Sequence, residues 1–511
     1  MFIFTDDQDY HHGSLDHMPD MPALQKHLLS KGVSFTNHYA TIAVCCPSRV
    51  SLMRGQAAHN TNNTAVTAGT LILLRLKRTT TTFLLTDWYE LGIRLSYCYV
   101  NKWRKPLYYE GWQQLDVLRI KSLARLQKST SQKDHDPFFL MMAPSAPHVE
   151  NLTDPPTPPS RYLGKFSDLT VPYRPNFNQP DELHQDRPSW WAGLLQLNST
   201  QLKVVDLLYQ RRSETMLAVD DIIADVVFLL EQKGELDNTY IIFSTDQGYH
   251  LGTHRDVGKR SHYIENANIP LVVCGPNLEQ GAVSHLPSTV TDFAPTFLDI
   301  AGLANEDRPA FLDGTSMLAG WENPHDTTMG KSKEAINVEF WGRAFSGIPI
   351  WTGGDGRAGS TDDTELFNSI DDPYELTNLA NSTDSYIQRV KSRLNALLMF
   401  LVLTRRWTRP MTVFFAAIPQ VTILECVQYQ YAPNELPFFP PEAQYGLGLA
   451  HRAASKLLEY PDVQLVQKVP YIPGGSWEQR SATLEVLMAA ARELTADELQ
   501  QAWTKMTCNE G

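Results

Sequence analysis

Short apolar runs of strand length alternate with helix-length patterns through the first 300 residues, and this alternation constrains the fold more than any other feature. Residues 1–5 (Met-Phe-Ile-Phe-Thr) form one such run. Residues 21–31 carry Leu24 and Leu28 one helical turn apart and stop at Gly32. Residues 137–143 (Pro-Phe-Phe-Leu-Met-Met-Ala) read as a buried strand. Residues 204–233 read as a long helix, with Leu217, Ile222, Ile223, Val226, Val227 and Leu230 on a broad apolar face and Gly234 as its stop. Residues 240–244 and 270–274 are further strand candidates, and 292–301 a short helix. The pattern predicts an α/β fold with a mostly parallel central sheet flanked by helices. In such a sheet, ligands bind beyond the carboxyl ends of the strands.

At 511 residues the chain exceeds one ordinary domain. Periodicity is poor over residues 65–133. Residues 481–506 are rich in Ala, Leu and Glu and read as helix. Asp plus Glu number 57 against 44 Lys plus Arg, a net charge of −13, which disfavours nucleic acid as a partner. The longest apolar run, residues 396–403, is far short of the roughly 18 residues a membrane span needs. Six cysteines are too few for a disulfide scaffold. No signal peptide is visible, and residues 1–5 read as the second half of a strand, so a missing beginning is expected. Asn-x-Ser/Thr sequons stand at Asn62, Asn151, Asn198 and Asn381.

Four polar clusters follow predicted strands or open a helix. Asp6-Asp7-Gln8-Asp9 follows the first strand, His148 follows residues 137–143, and Asp246-Gln247-Gly248-Tyr249-His250 follows residues 240–244. Cys45-Cys46-Pro47-Ser48-Arg49 opens a short helix, with Pro47 in its first turn. Asp6, Asp7, Asp246 and Gln247 offer the oxygen ligands that Ca²⁺ or Mg²⁺ prefers. Lys102, His148, His250 and Lys259 could bind an anion and donate protons. Taken singly, an acidic pair after a strand is more often a cap or turn, and a lone histidine more often surface or core. Convergence at the strand ends of one sheet favours a site.

Cys-x-Pro-Ser-Arg has four fixed positions, and a chance match in a chain this long is on the order of one in a thousand. It continues as Val50-Ser51-Leu52-Met53-Arg54-Gly55. An unmodified Cys45 at a helix N-terminus could be an activated thiolate, or buried and inert. The extended motif resembles the signature of the type I sulfatases, in which this cysteine is oxidised to formylglycine. Over residues 1–430 the chain is similar to fungal arylsulfatases and N-acetylglucosamine-6-sulfatases. The landmarks are Thr5-Asp6-Asp7-Gln8-Asp9, His59-Asn60-Thr61, Ala143-Pro144-Ser145-Ala146-Pro147-His148, Val219-Asp220-Asp221, Thr245-Asp246-Gln247-Gly248, Gly258-Lys259 with Tyr263, Asp292-Phe293-Ala294-Pro295, and Asp372-Pro373-Tyr374-Glu375.

The resemblance implies an alkaline-phosphatase-like sulfatase fold and hydrolysis of an aryl or sugar sulfate ester. It implies a catalytic domain over residues 1–330, within which 65–133 match poorly, and a smaller C-terminal α+β region over 331–430, leaving 431–511 as an unassigned tail. It implies one Ca²⁺ bound by Asp6, Asp7, Asp246, Gln247 and formylglycine 45. Arg49 would help hold the formylglycine, Lys102, His148 and Lys259 would contact sulfate, and His250 would lie near the leaving group. One hydroxyl of the hydrated aldehyde attacks sulfur, and the other allows sulfate to be eliminated. A formylglycine-generating enzyme becomes a maturation partner, and the secretory pathway the expected location. The chain departs from the family at Gln247, where many relatives have Asn, and around Lys102 and Arg104, where Gly-Lys and His or Asn are usual. Two other readings compete: a phosphoesterase of the same superfamily, disfavoured by Cys45 and few metal-type histidines, and a non-catalytic relative that keeps the fold.

Overall fold

The structure is a computed structural model that describes residues 1–10, 21–61, 98–101, 104–109, 111–131, 136–150, 154–184, 187, 194–259, 261–326, 328, 336–338, 365–403, 484–493 and 495. Its centre is a six-stranded sheet built from β1 (Phe2–Thr5), β2 (Val33–Phe35), β3 (Met141–Met142), β4 (Ile241–Thr245), β5 (Leu271–Cys274) and β6 (Ala282–Ser284), in the order β6-β2-β5-β4-β1-β3. β1 runs parallel to both neighbours, with Phe2 opposite Ile242 and Met141. Only β5 runs antiparallel, Val272 lying opposite Phe243 on one side and Ser34 on the other. The sheet is therefore mostly parallel, as the alternation predicts.

Every residue of β1 and β4 is buried. That is why these segments read as unbroken apolar runs: helices cover both faces, so neither face needs polar residues. Ile3 and Phe243 face a cluster with Leu24, Leu28, Ile222, Ile223 and Val226, whereas Phe2 and Phe4 face Leu52, Phe293 and Trp321. The first cluster is supplied by α3 (Ser199–Lys233) and the second by α1 (Cys45–Arg54) and α4 (Phe293–Ile300). α3 starts at Ser199, ahead of the apolar stretch, because Asn198 caps it. The Asn198 side chain accepts from the Thr200 and Gln201 amides, and the Gln201 side chain returns to the Asn198 amide at 2.9 Å. Gly234, at φ 71°, ends it.

Two expectations are corrected, for residues 137–143 and for the tail. Residues 137–143 contribute only Met141–Met142 as strand, although the Leu140 carbonyl still accepts the Phe2 amide at 2.9 Å. Within residues 65–133 the described part includes a regular helix, α2 (Gln114–Ser129), started by the Gln113 side chain accepting the Leu115 amide. The tail is not one helix over residues 481–506: Leu484–Ala489 is helical, but Ala491–Glu493 is a strand antiparallel to Arg104–Tyr109. Tyr109, Trp112 and Leu487 form a common buried cluster there. Helix-favouring composition is a weak prior, and strand pairing overrides it.

Asp220 of α3 receives the Ala23 and Leu24 amides at 2.9 and 2.8 Å, which docks α3 onto the segment before β2. Both amides are buried, so Asp220→Ala leaves two donors without partners. The expected loss is about 1–3 kcal/mol, read as a lower denaturant midpoint in a urea titration.

Candidate active site

α1 begins at Cys45, with Val44 in extended conformation as its N-cap. Pro47 is tolerated there because the first-turn amides of a helix have no intrahelical acceptor. The first backbone bond runs from the Ser48 amide to the Val44 carbonyl at 3.0 Å. The Ser48 hydroxyl donates to the Asp246 carbonyl at 2.7 Å, fastening α1 to the end of β4. The Cys-x-Pro-Ser-Arg spacing thus presents Cys45 and Arg49 toward the strand ends.

Asp6 and Asp7 follow β1, and Asp246 and Gln247 follow β4. All four are fully buried. Asp7 adopts φ 59° and donates its amide to an Asp246 carboxylate oxygen at 3.1 Å, so the left-handed turn brings the two loops together. Gly248 is required next: a Cβ there would sit 1.9 Å from the Glu265 carbonyl oxygen. The Cys45 sulfur lies 3.6 Å from Asp6 Oδ1, 4.0 Å from Asp7 Oδ1, 3.2 Å from Gln247 Nε2 and 2.8 Å from Lys259 Nζ. Arg49 donates to Asp246 Oδ2 at 2.9 Å and to Asp6 Oδ2. Lys259 also reaches Asp7 Oδ1 at 2.7 Å and His148 Nε2 at 3.1 Å. The His148 side chain is 11%, Lys259 14% and Arg49 17% exposed, against 0% for Asp6, Asp7 and Asp246. Solvent therefore approaches from the cationic side, with the carboxylates forming the floor.

Electrostatics follow from this layering. Burial, reinforced by the Asp246 charge, pushes the Asp6 carboxyl well above its ordinary range despite Arg49. Burial also acts on Asp7, but Lys259 and His148 outweigh it and hold that carboxyl below its ordinary range. Burial and the Asp6 charge push the Cys45 thiol well above its usual value against the pull of Lys259. Without a bound cation, an unmodified Cys45 thiol is disfavoured as a thiolate by this burial. His148 falls to about 4, chiefly from burial. Its Nδ1 faces the Val149 carbonyl at 2.5 Å; a carbonyl only accepts, so Nδ1 carries the proton and Nε2 faces Lys259 as a lone pair.

The donor set fits a hard cation. Asp6, Asp7, Cys45 and His148 bring ligand atoms within 4.8 Å of one another, and Asp246 and Gln247 bond to Asp7 beside them. Gln247 Oε1 and Asp7 Oδ2 are buried with no hydrogen-bond partner. Gln247 turns its Nε2 toward Asp7 Oδ1, at 2.5 Å. Turning the amide over would place its oxygen among the carboxylates, an arrangement that a cation stabilises.

Of the ten sequence-level candidates, the structure assembles Asp6, Asp7, Cys45, Arg49, His148, Asp246, Gln247 and Lys259. Lys102 lies outside the described residues. His250 has a fully buried ring, with Nδ1 2.7 Å from the Thr253 hydroxyl and Nε2 2.8 Å from the Ser261 hydroxyl. Burial lowers it to about 3. The ring bridges the segments after β4 and after Lys259 through these two hydroxyls. One contributor was missed: Arg212 of α3 is fully buried and donates to the Asp7 carbonyl at 2.6 Å. In the sequence it sits beside Arg211, with no signal marking it.

The late landmarks brace the Lys259 segment. Glu365 accepts the Tyr263 hydroxyl at 2.8 Å, and Glu375 accepts the Ile264 amide at 3.0 Å. Burial first, and the Glu265 charge second, raise Glu375 from 4.5 to about 8. Between pH 4.5 and about 8 the folded carboxyl keeps a proton that the unfolded one has lost. This contribution to stability is full below pH 4.5 and is lost as pH rises toward 8. Glu375→Gln should flatten that part of the profile, compared by thermal unfolding at pH 5 and pH 8; an unchanged slope would contradict the assignment.

Comparison with known proteins agrees with this geometry. A family model described as Sulfatase matches residues 1–303. The chain is 29% identical over 504 residues to an arylsulfatase of Volvox carteri, covering 79% of this chain and 74% of that one. It is 27% identical over 362 residues to the human N-acetylglucosamine-6-sulfatase, covering 62% of this chain and 63% of that one. A solved protein in complex with its substrate, D-glucosamine-2-N,6-O-disulfate, superposes with TM-score 0.50 at 20% identity, over 77% of this chain and 95% of that one. The last likeness bears on fold alone, and the fold is the alkaline-phosphatase-like sulfatase architecture.

Proposed function

The chain belongs to the sulfatase family, and from that premise we propose that it cleaves an aryl or sugar sulfate ester at residue 45, matured to formylglycine beside one Ca²⁺. The observation that carries the reading is the position of Cys45: first turn of α1, against buried carboxylates and under Lys259. Without a bound cation, burial disfavours the Cys45 thiolate, and a protonated thiol is a poor nucleophile. Its hydrated aldehyde product would supply one hydroxyl to attack sulfur and a second to expel sulfate. Asp6, Asp7, Asp246, Gln247 and residue 45 would hold Ca²⁺, which offsets the carboxylate charge and polarises the sulfuryl oxygens.

The chain's own residues divide the remaining work. Arg49 bridges Asp6 and Asp246, fixing the carboxylates of two different loops. Lys259 is held charged by Asp7 first among its neighbours and stands on the open side, where it can bind sulfuryl oxygen and give a proton to the departing alcohol. His148 is neutral near pH 7, so it accepts a proton or a hydrogen bond there. Lys102 keeps the sulfate contact that the family resemblance gives it.

The names of the relatives favour aryl and glucosamine sulfates as first substrates to test. The acidic net charge of −13 disfavours large polyanionic glycans at long range. A formylglycine-generating enzyme is the maturation partner, and the secretory pathway the location. Asn198 and Asn381 are exposed, as glycan acceptors must be. Asn62 and Asn151 lie outside the described residues. Among the described residues, no helix is long and apolar enough to cross a membrane.

The test uses protein made in a host that matures sulfatases. Turnover of an aryl sulfate should fall by at least about 1,000-fold in Cys45→Ala. Sulfate release that survives in Cys45→Ala contradicts the mechanism, and preferential cleavage of the matching phosphate ester would favour a phosphoesterase. Removal of Ca²⁺ with a chelator should suppress turnover, and its return should restore it; turnover indifferent to chelation would remove the metal from the account.

A further inference from the structure

Arg212 is a charged side chain with no solvent exposure, projecting from α3 under the site. A buried guanidinium is costly unless its N–H groups find acceptors. Nη2 donates to the Asp7 carbonyl at 2.6 Å and lies 3.4 Å from Asp9 Oδ2, while Nη1 donates to the Pro147 carbonyl at 3.0 Å. The guanidinium carbon lies 4.6 Å from the centre of the Tyr249 ring. These partners belong to three loops at three strand ends. Asp7 and Asp9 follow β1, Pro147 precedes His148 after β3, and Tyr249 follows Asp246 and Gln247 after β4.

The geometry points to Arg212 as the positioning residue that sets the distance between the Asp7 carboxylate and the His148 ring. This rests on the reading of the site given above. Asp7 is held at φ 59°, a conformation that costs energy for any side chain other than glycine and persists only when its surroundings impose it. The Asp7 carbonyl is fixed by Arg212 and its amide by Asp246. The same guanidinium fixes the carbonyl just before His148. His148 Nε2 consequently stands 3.3 Å from Asp7 Oδ2, with Lys259 bridging both residues. A planar fork with two N–H groups can hold two carbonyls of different loops at a set spacing. A lysine ammonium is a point donor on a flexible stem and reaches one of them. Arg212 touches no reacting atom; it acts through Asp7 and His148.

Arg212→Lys tests this against a purely structural role, with Arg161→Lys as the control. Arg161 forms a bidentate pair with Asp116 at 2.9 Å on each arm and also bonds Asp221 of α3. Three readouts are compared: the crystallographic Asp7–His148 separation, the affinity for Ca²⁺ alone by calorimetry, and kcat and KM for an aryl sulfate. Arg212→Lys should widen the separation, weaken Ca²⁺ binding by about 10–100-fold, and lower kcat by a similar factor with KM changed less. Arg161→Lys should lower the melting temperature and move none of the three. A lowered melting temperature in Arg212→Lys with separation, affinity and kcat intact would overturn the proposal. Should that variant fail to fold, the crystal structure of the wild type decides: both bonds, to the Asp7 and Pro147 carbonyls, are required, and loss of either overturns it. A wild type without turnover counts against the sulfatase reading, and one without Ca²⁺ binding counts against its metal; the separation measurement still decides the role of Arg212.

Discussion

Three carboxylates without solvent exposure, Asp6, Asp7 and Asp246, are held within one small volume at the ends of two adjacent parallel strands. Left alone, such a group would repel itself and take up protons. Two cations oppose this. Arg49 spans Asp6 and Asp246 from α1, and Lys259 reaches Asp7 from the loop before β5. Asp6 and Asp7 are displaced in opposite directions: burial and then the Asp246 repulsion raise Asp6, whereas at Asp7 the attraction of Lys259 and His148 overcomes burial. The acceptor oxygens Asp7 Oδ2 and Gln247 Oε1 stay buried without a hydrogen-bond partner, which supports the proposal of a bound cation there.

The rest of the fold holds that cluster in place. β1 and β4 pair from Phe2–Ile242 to Thr5–Thr245, which fixes the two acidic loops in register. Helices on both faces hold the strands, so the loops leave a rigid platform. Ser48 ties the helix carrying residue 45 to the end of β4, and Glu365 and Glu375 tie the late chain to the Lys259 segment. Stability and chemistry are therefore coupled: the interactions that hold the site are long-range and buried.

Much of this was legible in the sequence because the relevant signals are local. Continuous apolar runs mark strands covered on both faces, and Cys-x-Pro-Ser-Arg marks a helix start whose spacing directs residues 45 and 49 to the same side. Gly234 marked the end of α3, whereas its start depended on Asn198, a cap outside the apolar pattern. What was not legible depends on contacts distant in the chain. His250 looked like an acid–base group by its place in the motif, and only the structure shows Thr253 and Ser261 engaging its ring. Arg212 has no marking signal in its own neighbourhood of the sequence, and contacts with the loops after β1 and β3 define its role. The strand at Ala491–Glu493 is defined by its partner Arg104–Tyr109, nearly four hundred residues away, and not by its own composition.

The central claim is that residue 45 works as an aldehyde and not as a thiol. Mass spectrometry of the peptide spanning residue 45, from protein expressed in its own host, tests this most directly. The account predicts an aldehyde or its hydrate in place of the Cys45 thiol. A thiol retained throughout actively hydrolysing protein would contradict it.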